Sequence, residues 1–188
     1  MVTEMNTVFI AGSIAISRLD VRVKARISNA VDGGLAIVVG DADGADTSIQ
    51  QHLVSIRAEN VTVYCSGDRP RNNVGEWPVE HVYSDATPGT RSYLTAKDLK
   101  MAEIASYGLM IWDTKSTGTL SNVIALLEGN KKTVVFVNKA REFVTVSDGF
   151  SLKRLLENMS VSAKEKADRK IGLSSKVASF NEPQYSLI

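Results

Sequence analysis

Gly40, Asp41, Asp43, Gly44 and Asp46 crowd into one turn, Val38-Val39-Gly40-Asp41-Ala42-Asp43-Gly44-Ala45-Asp46, and residues of these types can hold a phosphorylated sugar. Glycines let the backbone bend sharply and bring its amides close to an anion, while carboxylates accept hydrogen bonds from ribose hydroxyls. The apolar run 35–39 before the turn has the length and β-branched content of a buried parallel strand, and 47–56 after it carries helical spacing. The same composition also suits a plain helix cap, with Asp43 or Asp46 accepting from free amides. A calcium loop is excluded by position, because glycine is needed at the sixth place and glutamate at the twelfth, where this chain has Asp46 and His52.

A second turn of related character is Trp112-Asp113-Thr114-Lys115-Ser116-Thr117-Gly118-Thr119-Leu120-Ser121-Asn122. Ser116, Thr117, Gly118 and Thr119 offer hydroxyls and free amides to an anion at the positive end of a helix, and Asn122 can hydrogen-bond a base or a ribose. This is not a P-loop, since Lys115 precedes the glycine, and the first strand ends in Ala11-Gly12-Ser13 without a Gly-x-Gly-x-x-Gly fingerprint. If the chain cuts a base from a ribose with a carboxylate, Asp85, Asp98 and Asp113 are the candidates. Asp98 follows Thr95 by three residues, which reads equally as the start of a helix with Thr95 as N-cap and Leu94 and Leu99 as a hydrophobic staple. Asp113 serves equally to end its strand or to orient Lys115. No metal and no resident cofactor is expected.

About thirty residues separate Cys65 from the next helix, and a connection of that length in a compact chain is usually functional or disordered. Arg69, Arg71 and Arg91 are suited to phosphate, and Trp77 or Tyr93 to stacking on a base. The two aromatic residues would also serve to pin the loop to the body.

Five short apolar runs, at 8–11, 35–39, 61–65, 108–112 and 133–137, alternate with helical patterns at 19–31, 47–58, 96–105 and 120–127. That order predicts an α/β, Rossmann-like three-layer α/β/α fold with a mainly parallel five-stranded sheet and a C-terminal helical extension. Right-handed crossovers then bring the strand-to-helix turns to one rim of the sheet, so the two glycine turns support one another as parts of a pocket. The division expected is a domain over 1–148 and an extension over 149–188.

With 188 residues and a net charge of +1, the chain can build one sizeable core, and its near-neutrality makes nucleic acid an unlikely partner by charge. The single cysteine, Cys65, reads as a reduced, buried thiol. The first seven residues lack a basic start and an apolar core, and no apolar run approaches the length of a membrane span, so a cytoplasmic protein with no membrane partner is expected. From residue 151 onward seven Lys or Arg stand against four acids. This tail reads as a helix over 152–159, a polar segment over 160–170 and a loose end. An apolar stripe of Val177, Phe180, Tyr185, Leu187 and Ile188 would suit docking on a second subunit, which makes a homo-oligomer the expected state.

Ala11-Gly12-Ser13, Gly40 to Asp46 and Ser116-Thr117-Gly118-Thr119 resemble the turns of the SLOG superfamily of Rossmann-like proteins, which includes the lonely-guy phosphoribohydrolases and the DNA-processing protein DprA. The resemblance implies a pocket for a nucleotide-derived small molecule, ADP-ribose-like or a mononucleotide, touched by Gly12, Ser13, Gly40, Asp41, Gly44, Asp46, Gly118 and Thr119. In the lonely-guy enzymes the motif Pro-Gly-Gly-x-Gly-Thr-x-x-Glu carries a glutamate that takes part in glycosidic cleavage. Here Asn122 stands at that position, and an amide cannot act as a carboxylate base. The expectation is therefore a binding protein, a sensor or sequestering protein, with a nucleotide N-glycosidase or deoxyribosyltransferase-like enzyme as the alternative.

Overall fold

The computed structural model describes residues 5–180. It contains β1 (Thr7–Gly12), α1 (Val21–Asp32), β2 (Ala36–Gly40), α2 (Ala45–Ser55), β3 (Val61–Ser66), β4 (Val79–Val82), α3 (Arg91–Ile104), β5 (Tyr107–Trp112), α4 (Thr117–Glu128), β6 (Thr133–Val137), β7 (Glu142–Val146), α5 (Gly149–Leu156), α6 (Val161–Ile171) and α7 (Leu173–Ser179). The strands form one sheet in the order β4-β3-β2-β1-β5-β6-β7, parallel throughout except for the antiparallel β6–β7 pair. The order reverses between β1 and β5, where Val8 pairs with Tyr107 and Gly12 with Ile111. Among the described residues no helix is long and apolar enough to cross a membrane.

The period of two along each central strand sends alternate side chains to two separate cores. Phe9, Val38, Met110 and Trp112 go to the face covered by α3 and α4, together with Met101 and Leu120. Ile10, Ile37, Val39 and Ile111 go to the face covered by α1 and α2, together with Ile27 and Ile49. Burying side chains on both faces of the middle strands is what makes them read as continuous apolar runs, and each fully buried Ile or Leu contributes roughly 1.5–3 kcal/mol.

The sheet has seven strands where five were expected. β4 escaped because Val79-Glu80-His81-Val82 is short and is an edge strand with its middle two residues exposed. β7 escaped because the connection from β6 carries no glycine, and Arg141 adopts the left-handed conformation with φ 55° in its place. The start of α3 also differs. Thr90, not Thr95, is the N-cap and accepts from the Tyr93 amide, while the Thr95 hydroxyl donates back to the Arg91 carbonyl inside the helix. Asp98 therefore sits in the second turn of α3 and caps nothing, and Leu94 and Leu99 are exposed instead of forming a staple.

The C-terminal helices lie on the α3–α4 face. α5 begins with a capping box between Asp148 and Ser151, and α6 with Ser160 accepting from the Ala163 amide. Leu152, Leu155, Ala167 and Leu173 are buried in the same cluster as Trp112 and Val137. Val177 and Phe180 pack against that cluster too, so the part of the expected docking stripe that is described turns inward; Tyr185, Leu187 and Ile188 lie outside the described residues.

Candidate functional site

The point where strand order reverses leaves a crevice at the carboxyl ends of β1 and β5, the place where open α/β sheets bind ligands. A cavity of about 500 Å³ opens there, within the range of small-molecule sites. Its floor is Ala11 and Gly12 at the end of β1 and Ala42 and Asp46 around the start of α2. One wall is the turn from Lys115 into α4; the opposite wall is Arg71 and the first two turns of α3. α6 closes the third side with Lys166 and Lys170, one helical turn apart.

At the floor lies a largely buried charge cluster built on Lys97. Its ammonium lies 2.8 Å from Asp98 Oδ1 and 3.8 Å from Asp41 Oδ1. It also stands beside Asp46, because a Cβ on Gly40 would fall 2.6 Å from Lys97 Nζ and 2.4 Å from Asp46 Oδ2. Gly40 is thus required by the charges packed against it. Burial by itself would lower the Lys97 pKa, but the carboxylates of Asp98, Asp46 and Asp41 hold it above the ordinary lysine value. Burial pushes Asp46 up to about 6, against the opposing pull of Lys97. Its Oδ2 accepts from the Ala42 amide at 3.3 Å, and its Oδ1 is buried without a partner among the described residues.

Asp41 is the counterpart. Burial raises its pKa, yet the net direction is down, because the Arg71 guanidinium and amide bind it at 2.8 and 2.9 Å and Lys97 adds its charge. Both Asp41 oxygens serve the protein's own cations, and Asp41 sits behind the cavity wall. The loop that carries Arg71 is held by Gln50, which is fully buried, donates to the Gly40 and Asn72 carbonyls and accepts from the Val74 amide.

On the other wall, Ser116 caps α4 by accepting from the Thr119 amide, and Asp113 Oδ1 accepts from the Lys115 and Ser116 amides. Between them Thr114 is held at φ 69°, a conformation that strains a β-branched residue. Ser13 Oγ lies 3.2 Å from Thr119 Oγ1 and accepts from the Asp113 amide, tying the β1 turn to the α4 turn. Arg91 donates to Thr117 Oγ1 at 3.1 Å across the cavity mouth.

The structure therefore brings Gly12, Asp46, Arg71, Arg91, Asp98, Ser116, Thr117, Gly118, Thr119 and Asn122 to one cavity. Ser13, Gly40 and Asp41 support it from behind. Other residues singled out in the sequence fall elsewhere. Gly44 is the N-cap of α2 at φ 77°, and a Cβ there would strike the Ile14 carbonyl oxygen. Tyr93 places its hydroxyl over Gly67, Trp77 is buried and donates to the Ala58 carbonyl, and Arg69 and Asp85 are exposed away from the cavity. Asp113 is committed to its own turn.

Lys97, Lys115, Lys166 and Lys170 line the cavity as well. Lys97 offers no motif, and Lys166 and Lys170 belong to a polar helix far away in the chain, so their i, i+4 spacing was the sole available signal. Six cations thus face the cavity against two carboxylates, Asp46 and Asp98. Arg71 and Lys97 are paired with acids, whereas Arg91, Lys115, Lys166 and Lys170 make no salt bridge among the described residues. The arrangement can hold a multiply charged anion.

No family model matches the chain, and no curated protein matches it in sequence. Among solved structures it is similar to DNA processing protein A from Helicobacter pylori, a protein described for its single-stranded DNA binding mode. The two are 17% identical with a TM-score of 0.54, over 90% of this chain and 81% of that one. At that identity the likeness is one of fold, and it agrees with the Rossmann-like sheet described above.

Proposed function

We propose that the protein binds a phosphate-bearing, nucleotide-derived small molecule in the cavity between β1 and β5, acting as a sensor or as a sequestering protein. The observation that carries this reading is the set of four cations without acid partners, Arg91, Lys115, Lys166 and Lys170, gathered at the sheet's switch point beside the start of α4. The first-turn amides of Thr117 and Gly118 would take one phosphate and the lysines of α6 another. The SLOG-like turns and the fold shared with DNA processing protein A support a nucleotide-type ligand.

Calorimetric titration with ADP-ribose, ADP, AMP and a single-stranded oligonucleotide tests it. Binding of a small nucleotide, weakened in Gly118→Asp, is expected. A Cβ at Gly118 meets nothing nearer than Ser116 Oγ at 3.8 Å, so the variant introduces a charge without a clash. If no nucleotide binds, or if the oligonucleotide binds and the small molecules do not, the proposal fails.

A second reading, cleavage of a base–ribose bond, is favoured by one placement: of the three candidate carboxylates, Asp98 lines the cavity and Asp85 and Asp113 do not. It requires release of free base from a nucleotide or deoxynucleoside, abolished in Asp98→Asn.

A further inference from the structure

A smaller cavity of about 240 Å³ lies beside the first, enclosed by α3, α4 and the α6–α7 corner. The two share Arg91, Thr95, Asp98 and Asn122 as lining residues, so these four side chains form the waist between them. Their characters differ. The first is cationic. The second is walled by Leu99, Ile124, Ala125 and Ile171, and its charged far end, Lys176 and Glu128, is neutralised by an ion pair at 3.0 Å. At 240 Å³ the second cavity falls below the size of an independent small-molecule site, which argues for a compartment of the larger one.

Its polar groups are largely committed. Ser121 Oγ donates to the Thr117 carbonyl and Thr95 Oγ1 to the Arg91 carbonyl. At the waist the Asn122 amide is almost buried and has no hydrogen-bond partner among the described residues, while Asp98 keeps one oxygen beyond its bond to Lys97. From the large cavity to the small one, the lining runs from lysines, through a polar waist of Arg91, Thr95, Asp98 and Asn122, to walls of mainly aliphatic carbon. That is the order of phosphate, sugar and base along a nucleotide.

Building on the reading above, we propose that the small cavity is the base-binding compartment of this site. The base lies between Leu99 and Ala125–Ile171, the sugar hydroxyls meet Asn122 and Asp98, and the phosphates lie among the lysines of the large cavity. With its hydroxyls tied to backbone carbonyls, the compartment holds the base by apolar contact more than by reading its edges.

The experiment compares adenosine diphosphate with inorganic pyrophosphate, which carries the charges and lacks the base and sugar. ADP should bind the parent protein at least about tenfold more tightly, a preference supplied by burial of the base. Ala125→Phe fills the compartment and should bring the ratio close to one while leaving pyrophosphate affinity unchanged. Leu99→Ser, at an exposed position that folding tolerates, should weaken ADP by about threefold and leave pyrophosphate alone. Equal affinity for the two probes in the parent, or a ratio unmoved by both variants, overturns the compartment and leaves the cationic site standing. If neither probe binds the parent, the compartment falls together with the binding function.

Discussion

Lys97 holds together a site whose other charges would repel one another. Its ammonium is buried among Asp98, Asp41 and Asp46, and removing it leaves three carboxylates without their common counter-ion. Lys97→Met is expected to cost about 3–5 kcal/mol, the range for breaking a buried ion pair from one side, measured by urea denaturation. A cost under 1 kcal/mol would show that the cluster is not held electrostatically. Asp46 gives a second test, through pH. Its folded pKa, about 6, is raised above its ordinary value of 3.8 by burial. The folded state therefore binds this proton more tightly than the unfolded chain, and the resulting stabilisation is complete below pH 3.8 and lost as pH rises through 6. Relative to Asp46→Asn, the parent should lose stability between pH 4 and pH 7, a trend absent if Asp46 titrates normally.

Two glycines with adjacent roles separate the strand from the helix at the opening of α2. Gly40 leaves room for charge, and Gly44 leaves room for backbone, since a Cβ there would lie 2.0 Å from the Ile14 carbonyl oxygen at a positive φ. Gly44→Ala should thus be the more damaging change, because the Ile14 backbone cannot turn aside as the ends of Asp46 and Lys97 can. A thermal melt in which Gly40→Ala is the less stable of the two would reverse that ordering. α6 acts on a different element of the site. Lys166 and Lys170 are exposed, so Lys166→Gln with Lys170→Gln should leave unfolding unchanged within about 0.5 kcal/mol. The pair of substitutions should weaken binding of pyrophosphate and reduce its salt dependence.

The C-terminal helices are integrated with the sheet. Leu152, Leu155, Ala167 and Leu173 share one buried cluster with Trp112, Val137 and Val146, while α6 lines both cavities and α7 the smaller one. A chain ended at residue 148 would expose that cluster and open the site on one side. It is expected to show no cooperative urea transition, whereas a truncated protein that unfolds cooperatively at the parent's midpoint would make α5–α7 an independent appendage.

The five central strands and the general position of their helices were legible because burial on both faces demands unbroken apolar runs, and Val-Ile-rich segments of five or six residues have few other fates. The two glycine turns were legible for the same kind of local reason: sharp reversals beside a helix start select glycine, aspartate and hydroxyl residues whatever the surroundings. The edge strands β4 and β7 were not, since half-exposed edges lack that signature. Nor could the chain by itself divide its charged residues between ligand and fold. Asp41 and Asp46 look alike in the turn, yet one is spent on Arg71 and the other holds a raised pKa and a bare oxygen. Lys97, Lys166 and Lys170 come from helices remote in sequence and meet Gly118 only in the folded protein. Local sequence determined where the backbone must turn, because that depends on a few neighbouring residues; the tertiary structure decided which charges face the cavity, because a charge is set by what packs against it from every side.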